Sequence, residues 1–532
     1  MAQKENELLA SPEVDKLATL VEEATRATSD SPRRFIEPAR GTLDRAKSRR
    51  HHLVFGRRGS GKTSLLRKAG TDLTLRRIPI AFIDLEAFKF HTYPDVLLSI
   101  LIETLNAFDR WLQSAGLSPA SKKSFWSRFW GGTPHRPPLD KKNVEEVRAL
   151  LQRQILELAG LLHSEDDAQL TSKSNLAGKV ASEAAVDAKA SVSAGGIGAG
   201  AGASAKLTES IEVGREVVEA SRRNKVNFLH RRIIDFQKLF ERIVELSGSD
   251  AYIFLDDLYH IARHDQAHVL DYFHRIVKGR SVWLKVGTIR HRTEWYHHGD
   301  PPVGLKLGDD CDDIDLDITL EKHQIAQQFL LKILDQLIAE AHLKDHDQLL
   351  AGGGIERLVL ASGGVARDFL TIFRKAIDVA RERGETYRGQ RINAEDVNVA
   401  AGEHDSAKRD ELKRDTLEER GQLERALRVI QDFCLGNKVN CFLVERDSES
   451  EGHDLLGELV DLRFVHVVQS RTTARDAPGK LFAGYMLDIS QYTGERRRRE
   501  LEMISFWKRE ELDKIRRTKY VLDLATLTQG AV

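Results

Sequence analysis

The residues GRRGSGKT (Gly56–Thr63) fit the pattern G-x-x-x-x-G-K-[ST]. Each residue type has a chemical reason. The glycines let the backbone wrap closely around phosphates with N–H groups turned inward. A helix beginning there adds a partial positive charge. Lys62 is expected to reach the β- and γ-phosphates of ATP, and the Thr63 hydroxyl to bind Mg²⁺. The whole set assigned to nucleotide contact is Gly56, Arg57, Arg58, Gly59, Ser60, Gly61, Lys62, Thr63 and Ser64. Far downstream, YIFLDD places Asp256 and Asp257 after an apolar run. Alone, two aspartates there are as often a turn or a helix cap. Behind a phosphate loop, Asp256 is read as the second magnesium ligand beside Thr63, and Asp257 as the group that polarises the attacking water.

Two weaker signals follow. KVGTIRHRTEW leaves a buried strand and turns polar at Thr288. Next to the acidic strand, Thr288 could order water and Arg290 could neutralise charge developing on the γ-phosphate. Arg292 is a second candidate, acting on a neighbouring subunit's nucleotide; surface loop arginines are the alternative for both. ASGGVARDFL starts a helix with Arg367 in its first turn. A cation there opposes the helix dipole, which points to contact with bound nucleotide.

These groups need elements to position them. HHLVFG (residues 51–56) and PIAFIDL (79–85) read as buried strands, as do AYIFLDD (251–257) and SVWLKVGT (281–288). Apolar on both faces, they suit a parallel sheet covered by helices. Helical spacing follows Gly61 and recurs over residues 93–112, 144–162, 228–248 and 268–279. Carboxylates at the C-terminal end of a parallel strand face the crevice where open α/β sheets bind ligands. Lys62 and Asp256 lie 194 positions apart (256 minus 62), far more than this fold needs. The excess is read as an insertion projecting from the core. It holds the aromatic and basic segment FWSRFW (125–130) and the stretch 189–206, in which fourteen of eighteen residues are Ala, Gly or Ser. That stretch reads as a mobile linker, or alternatively as a flat hairpin or oligomer contact.

Taken in order, GRRGSGKT, YIFLDD, VGTIR and SGGVARDFL resemble the AAA+ ATPases, and within them the origin-recognition-like and STAND-type branch. The resemblance covers roughly residues 35–401, the insertion excepted. It implies Walker A and Walker B motifs, a sensor-1 strand end at Thr288 and Arg290, and a sensor-2 helix carrying Arg367. It implies an α/β fold: a P-loop core with a parallel five-stranded sheet, and a helical lid. It also implies ATP and Mg²⁺ as ligands and a homo-oligomer. Most AAA+ motors end Walker B in Asp-Glu; this chain has Asp256-Asp257. The shorter side chain suits slow turnover, and so a switch better than a motor.

The expected organisation is an N-terminal arm (1–34), the ATPase core (35–112 and 224–320), the insertion (113–223), the lid (321–405), a charged linker (406–420), a winged-helix-like unit (421–493) and a basic C-terminal helix and tail (494–532). Residues 494–520 carry ten Lys/Arg against six acidic residues, a net +4. Such a helix could contact DNA phosphates, or be solvated with internal ion pairs. The second helix of the winged-helix-like unit, EGHDLLGELVDL, is acidic. That argues against insertion into a DNA groove. FWSRFW could stack on a single strand, anchor an effector protein, or pack the insertion onto the core.

Composition narrows the classes. Hydrophobic residues at 41% exclude a wholly disordered chain. Lys+Arg and Asp+Glu are both 81, so any basic surface is local. Three cysteines exclude a disulfide framework and a four-cysteine zinc site; Cys434 and Cys441 read as buried apolar groups. His291, His297 and His298 lack the carboxylate or thiol framework of a metal site. The N-terminus is no secretory signal, and no strongly apolar stretch is long enough to span a membrane, so the expected compartment is the cytoplasm. Three functions remain: a slow ATPase switch coupled to oligomer state, a DNA-binding loader gated by nucleotide, and a nucleotide-bound scaffold for partner proteins. A place in a prokaryotic defence system is a reading by analogy alone.

Overall fold

A computed structural model of the chain describes residues 8–26, 31–117, 139–163, 222–383, 391–415, 420–446, 450–474, 477–493, 502–516 and 520–528. FWSRFW and the 189–206 stretch lie outside them. Helix α1 (Pro12–Ala24) comes first, capped by the Ser11 side chain. The α/β core follows: β1 (His52–Phe55), α2 (Lys62–Leu75), β2 (Ile80–Asp84), α3 (Asp95–Leu117), α4 (Ile233–Ser247), β3 (Ala251–Asp256), α5 (Arg263–Val277), β4 (Val282–Thr288) and β5 (Asp312–Asp315). The strands form one all-parallel five-stranded sheet in the order β2-β3-β4-β1-β5.

The register sets up the chemistry. Asp84 lies opposite Asp256, and Phe55 lies opposite both Thr288 and Asp315. The C-terminal ends of all five strands therefore finish at one level, beside the loop that follows β1. β3 is buried throughout because α3, α4 and α5 cover one face of the sheet while α2 covers the other. The expected strands and the helix after Gly61 are all present. β5 was not foreseen: its sequence, Asp-Asp-Ile-Asp, has the composition of a loop. Ile314 and Leu316 face the core under α2, while Asp312, Asp313 and Asp315 line the free edge. Charges there block pairing with another strand.

Helices α6 (His323–Glu340), α7 (Gly352–Ala361), α8 (Ala366–Arg383) and α9 (Ala394–Asp415) form the helical unit after the sheet. α9 carries on through most of the expected charged linker. The last unit contains α10 (Arg420–Gly436), β6 (Cys441–Glu445), α11 (Glu451–Asp461), β7 (Val465–Thr472) and β8 (Phe482–Leu487), with an antiparallel sheet ordered β6-β8-β7. It shares one continuous apolar core with α6–α9. In place of a continuous basic helix, the described part of 494–520 has only the short helix Arg509–Ile515. There Lys514 pairs with Glu502 and Glu511.

The described part of the insertion does not project. The helix over 141–163 shares a core with α3 and α4 through Val144, Val147, Leu151 and Leu158. Arg148 Nε donates to Asp109 at 2.8 Å, and the buried Lys225 Nζ to Asp95 at 2.9 Å.

α1 is also docked. Val14, Leu17 and Val21 are fully buried in the core of the helical unit, and Arg381 holds Asp15 and the Leu9 carbonyl. Truncating Leu17 to Ala should cost about 2–5 kcal/mol, the usual range for a buried leucine. A denaturant titration checks this; a wild-type midpoint would contradict the docking.

Candidate nucleotide site

β1 ends at Phe55, and the chain then turns back on itself before α2 begins at Lys62. Gly59 and Gly61 make that turn with φ of +84° and +100°, a region costly for any residue with a Cβ. The carbonyls of Gly56 through Gly59 are all engaged. Gly56 O accepts from Lys62 Nζ at 2.8 Å. Arg57 O accepts from Ser60 N at 3.1 Å and from Lys62 Nζ at 3.2 Å. Arg58 O accepts from Arg463 Nη1, and Gly59 O from Arg367 N, each at 3.3 Å. In a trans peptide the next N–H points opposite to the carbonyl. The fold is α/β, with an all-parallel sheet and a glycine-rich loop between its first strand and α2.

One cavity of about 720 Å³ opens on the loop. That is the size of a small-molecule site. Its lining includes Arg58, Gly59–Ser64, Asp257, Tyr259 and Arg367. Apolar side chains line it too: Phe35 and Ile36 from the segment before the sheet, and Phe329, Ile333 and Leu337 of α6. Thr25, after α1, adds its carbonyl, which accepts from Arg367 Nε at 3.1 Å. Three regions far apart in sequence thus enclose one space.

Asp256 is 2% exposed and meets the cavity through Thr63, whose hydroxyl bonds its carboxylate. Burial, and then the neighbouring Asp257, push Asp256 up to about 7. Thr63 and Lys62 only partly offset this. A hydroxyl and a carboxylate are hard oxygen donors of the kind Mg²⁺ takes. A divalent cation there would supply countercharge to the buried carboxylate, so the residues fit the metal. Burial lowers Lys62, while Asp257, Asp256 and Asp317 oppose that shift. Tyr259 lies under this group: its ring centroid is 5.7 Å from Lys62 Nζ and 5.4 Å from the Arg58 guanidinium carbon.

The other sequence-predicted residues divide. Arg367 lines the cavity and touches the loop. Thr288 is fully buried at the end of β4 and bonds Thr293 Oγ1. Arg290 is drawn away to the sheet edge. It pairs with Asp313 at 3.0 Å and Asp315 at 3.6 Å and stacks over Phe55, and it is not among the cavity-lining residues. Arg292 lies closer to the loop, 6.0 Å from the Tyr259 centroid.

Sequence reasoning missed several members. Gly287 makes room for the acidic strand end: a Cβ there would sit 2.6 Å from Asp256 Oδ1. Asp317 accepts from both Arg57 N and Arg57 Nε, anchoring the loop's first turn. The glycine just before Thr288 was a usable signal. The pairing of Arg57 with Asp317, 260 positions away, left none.

No family model matches this chain, and no curated protein does. Among solved structures, it is similar to the Orc1 protein of Aeropyrum pernix in complex with DNA, at 14% identity and a TM-score of 0.31, covering 90% of this chain and 89% of that one. It is also similar to Cdc6p from Pyrobaculum aerophilum, at 12% identity and a TM-score of 0.29, covering 83% and 85%. Both superpositions are loose, and the site is read from its own geometry.

Asp256 titrates higher in the fold than its ordinary value of 3.8. Its contribution to stability is therefore fully present below about pH 4 and is lost as pH rises through about 7. Thermal melts of ligand-free protein across that window should show Asp256→Asn losing less stability than wild type. Parallel curves would contradict the assignment.

Proposed function

We propose that this chain binds Mg-ATP between its α/β core and its helical unit and hydrolyses it slowly, as a nucleotide-dependent switch. The observation that carries the proposal is convergence. The loop Gly56–Thr63, the acidic end of β3 and the first turn of α8 all meet at one cavity lined by both charged and apolar side chains. The resemblance to origin-recognition-like AAA+ ATPases supports ATP as the triphosphate, and the all-parallel sheet followed by helices supports the resemblance.

In this reading Lys62 exchanges its bonds to Gly56 O and Arg57 O for phosphate oxygens. Thr63 and Asp256 hold Mg²⁺, which when bound neutralises phosphate charge. Asp257 orients and deprotonates the attacking water. Burial raises its affinity for a proton above that of an ordinary aspartate, which makes it a stronger base. Arg367 offers positive charge from the lid side. Thr288 supports the loop from the neighbouring strand. The Asp257 carboxylate is one methylene shorter than a glutamate and reaches less far, which supports slow turnover. Coupling of nucleotide state to a homo-oligomer rests on the resemblance.

The C-terminal unit follows the order helix, strand, helix and two-stranded hairpin, which supports a winged-helix-like assignment. Its second helix, α11, is packed against the turn after β4. Asp461 accepts from His291 N at 3.2 Å, and Glu458 lies 3.6 Å from Arg263. No observation therefore favours DNA contact through α11, and the DNA-loader reading gains nothing over the switch. Among the described residues no helix is long and apolar enough to cross a membrane.

Calorimetric titration and phosphate release test the proposal together. Lys62→Ala should abolish Mg-ATP binding. Asp257→Asn should bind Mg-ATP but turn over about 100-fold more slowly or worse. Wild-type turnover by Lys62→Ala would overturn the site.

A further inference from the structure

Arg463 follows α11 in the C-terminal unit, in a left-handed conformation with φ of +67°. It is 3% exposed, and its guanidinium points at the phosphate loop. Nη1 donates to Asp368 Oδ1 at 2.8 Å and to the Arg58 carbonyl at 3.3 Å. Asp368 neighbours Arg367 in the first turn of α8. Burial opposes its ionisation, yet Arg463, Lys408 and His404 hold it well below the usual carboxylate range.

The arginine is fixed from behind. Lys408 Nζ bridges Asp368 at 3.7 Å and Asp488 at 3.0 Å and donates to the Arg463 carbonyl at 3.3 Å. His466 Nε2 bonds Asp488 at 2.6 Å. The His466 ring fills the space beside Gly363, where a Cβ would come within 2.1 Å of it. The Gly363 carbonyl accepts from Arg57 Nη2 at 3.1 Å. The C-terminal unit, the helical unit and the loop thus meet in one buried charged junction.

We propose that Arg463 is a positioning residue of the nucleotide site, supplied by the C-terminal unit and acting through the Arg58 carbonyl. The inference rests on reading Gly56–Thr63 as a phosphate loop. Gly59 has no side chain to resist rotation of the 58–59 peptide. The donor on Arg58 O therefore determines which way the Gly59 N–H faces. With Arg463 in place, that N–H is turned to the cavity side and is ready for phosphate. Without it, the peptide is free to flip. Docking of the C-terminal unit and grip on nucleotide are then linked, and linkage of this kind is reciprocal.

Three variants and a control separate this from a purely structural role, using full-length protein, Mg-ATP titration and thermal melting. Arg463→Met should weaken Mg-ATP binding about tenfold, the size expected for loss of a charge-assisted hydrogen bond. Lys408→Met cuts the same network one step further from the loop; it should melt earlier and weaken Mg-ATP binding clearly less than Arg463→Met does. Arg463→Lys keeps a cation for Asp368 but, on a shorter side chain, does not set its nitrogen where Nη1 reaches both acceptors, and should fall between. Equal loss of affinity in Arg463→Met and Lys408→Met would overturn the proposal, as would wild-type affinity in Arg463→Met. If Arg463→Met does not fold, wild-type affinity in Arg463→Lys overturns it and weakened affinity upholds it. Lys62→Ala is the control. Undiminished binding there removes the phosphate-loop reading and this inference with it. Lost binding there, with Arg463→Met unaffected, removes this inference alone.

Discussion

A loop that turns its amides toward a cavity before any ligand binds needs partners elsewhere for the carbonyls of the same peptides. Between Gly56 and Gly59 this chain meets that requirement from three directions. Its own Lys62 takes two carbonyls, the first turn of α8 takes one, and Arg463 of the C-terminal unit takes another. Unpaired buried carbonyls are costly, so the loop conformation is set by these donors as much as by its glycines. The lid-side helices and the C-terminal unit are therefore part of the site's mechanics.

The sheet supplies the opposing charge. Parallel register brings Asp84 beside Asp256, and Gly287 leaves the space in which the Asp256 carboxylate sits. Burial above all, then the neighbouring Asp257 and last Asp84, raises the proton affinity of Asp256. Such a site is unfavourable by itself and is relieved by a proton or a metal. The same logic explains why Arg290 is not at the cavity. The edge strand β5 offers Asp313 and Asp315 within reach, and Phe55 offers a ring face to stack on.

What the sequence disclosed was local. GRRGSGKT and YIFLDD were legible because their spacing is dictated by short-range geometry: a strand, a turn and a helix in one case, a buried strand and its end in the other. Their meeting in one pocket follows from the sheet. β5 was hidden because an edge strand needs apolar residues on only one side, and Ile314 and Leu316 were too few among aspartates to show a pattern. The docking of α1, the place of Arg463 and the diversion of Arg290 depend on contacts between distant segments. Arg463 meets Arg58 across 405 positions, and no local periodicity records such a pair. The acidity of α11 was legible; the packing of Asp461 against the turn after β4 and of Glu458 against Arg263 at the start of α5 was not.

The central claim is that the cavity recognises a phosphate tail through the loop and the metal through Thr63 and Asp256. Calorimetric titration of the wild-type chain with ATP, ADP and AMP, each with and without Mg²⁺, addresses it directly. The account predicts that AMP binds about 100-fold more weakly than ATP or worse, since it lacks the phosphates the loop would hold, and that Mg²⁺ strengthens ATP binding but not AMP binding. Equal affinity for the three nucleotides, indifferent to Mg²⁺, would contradict it.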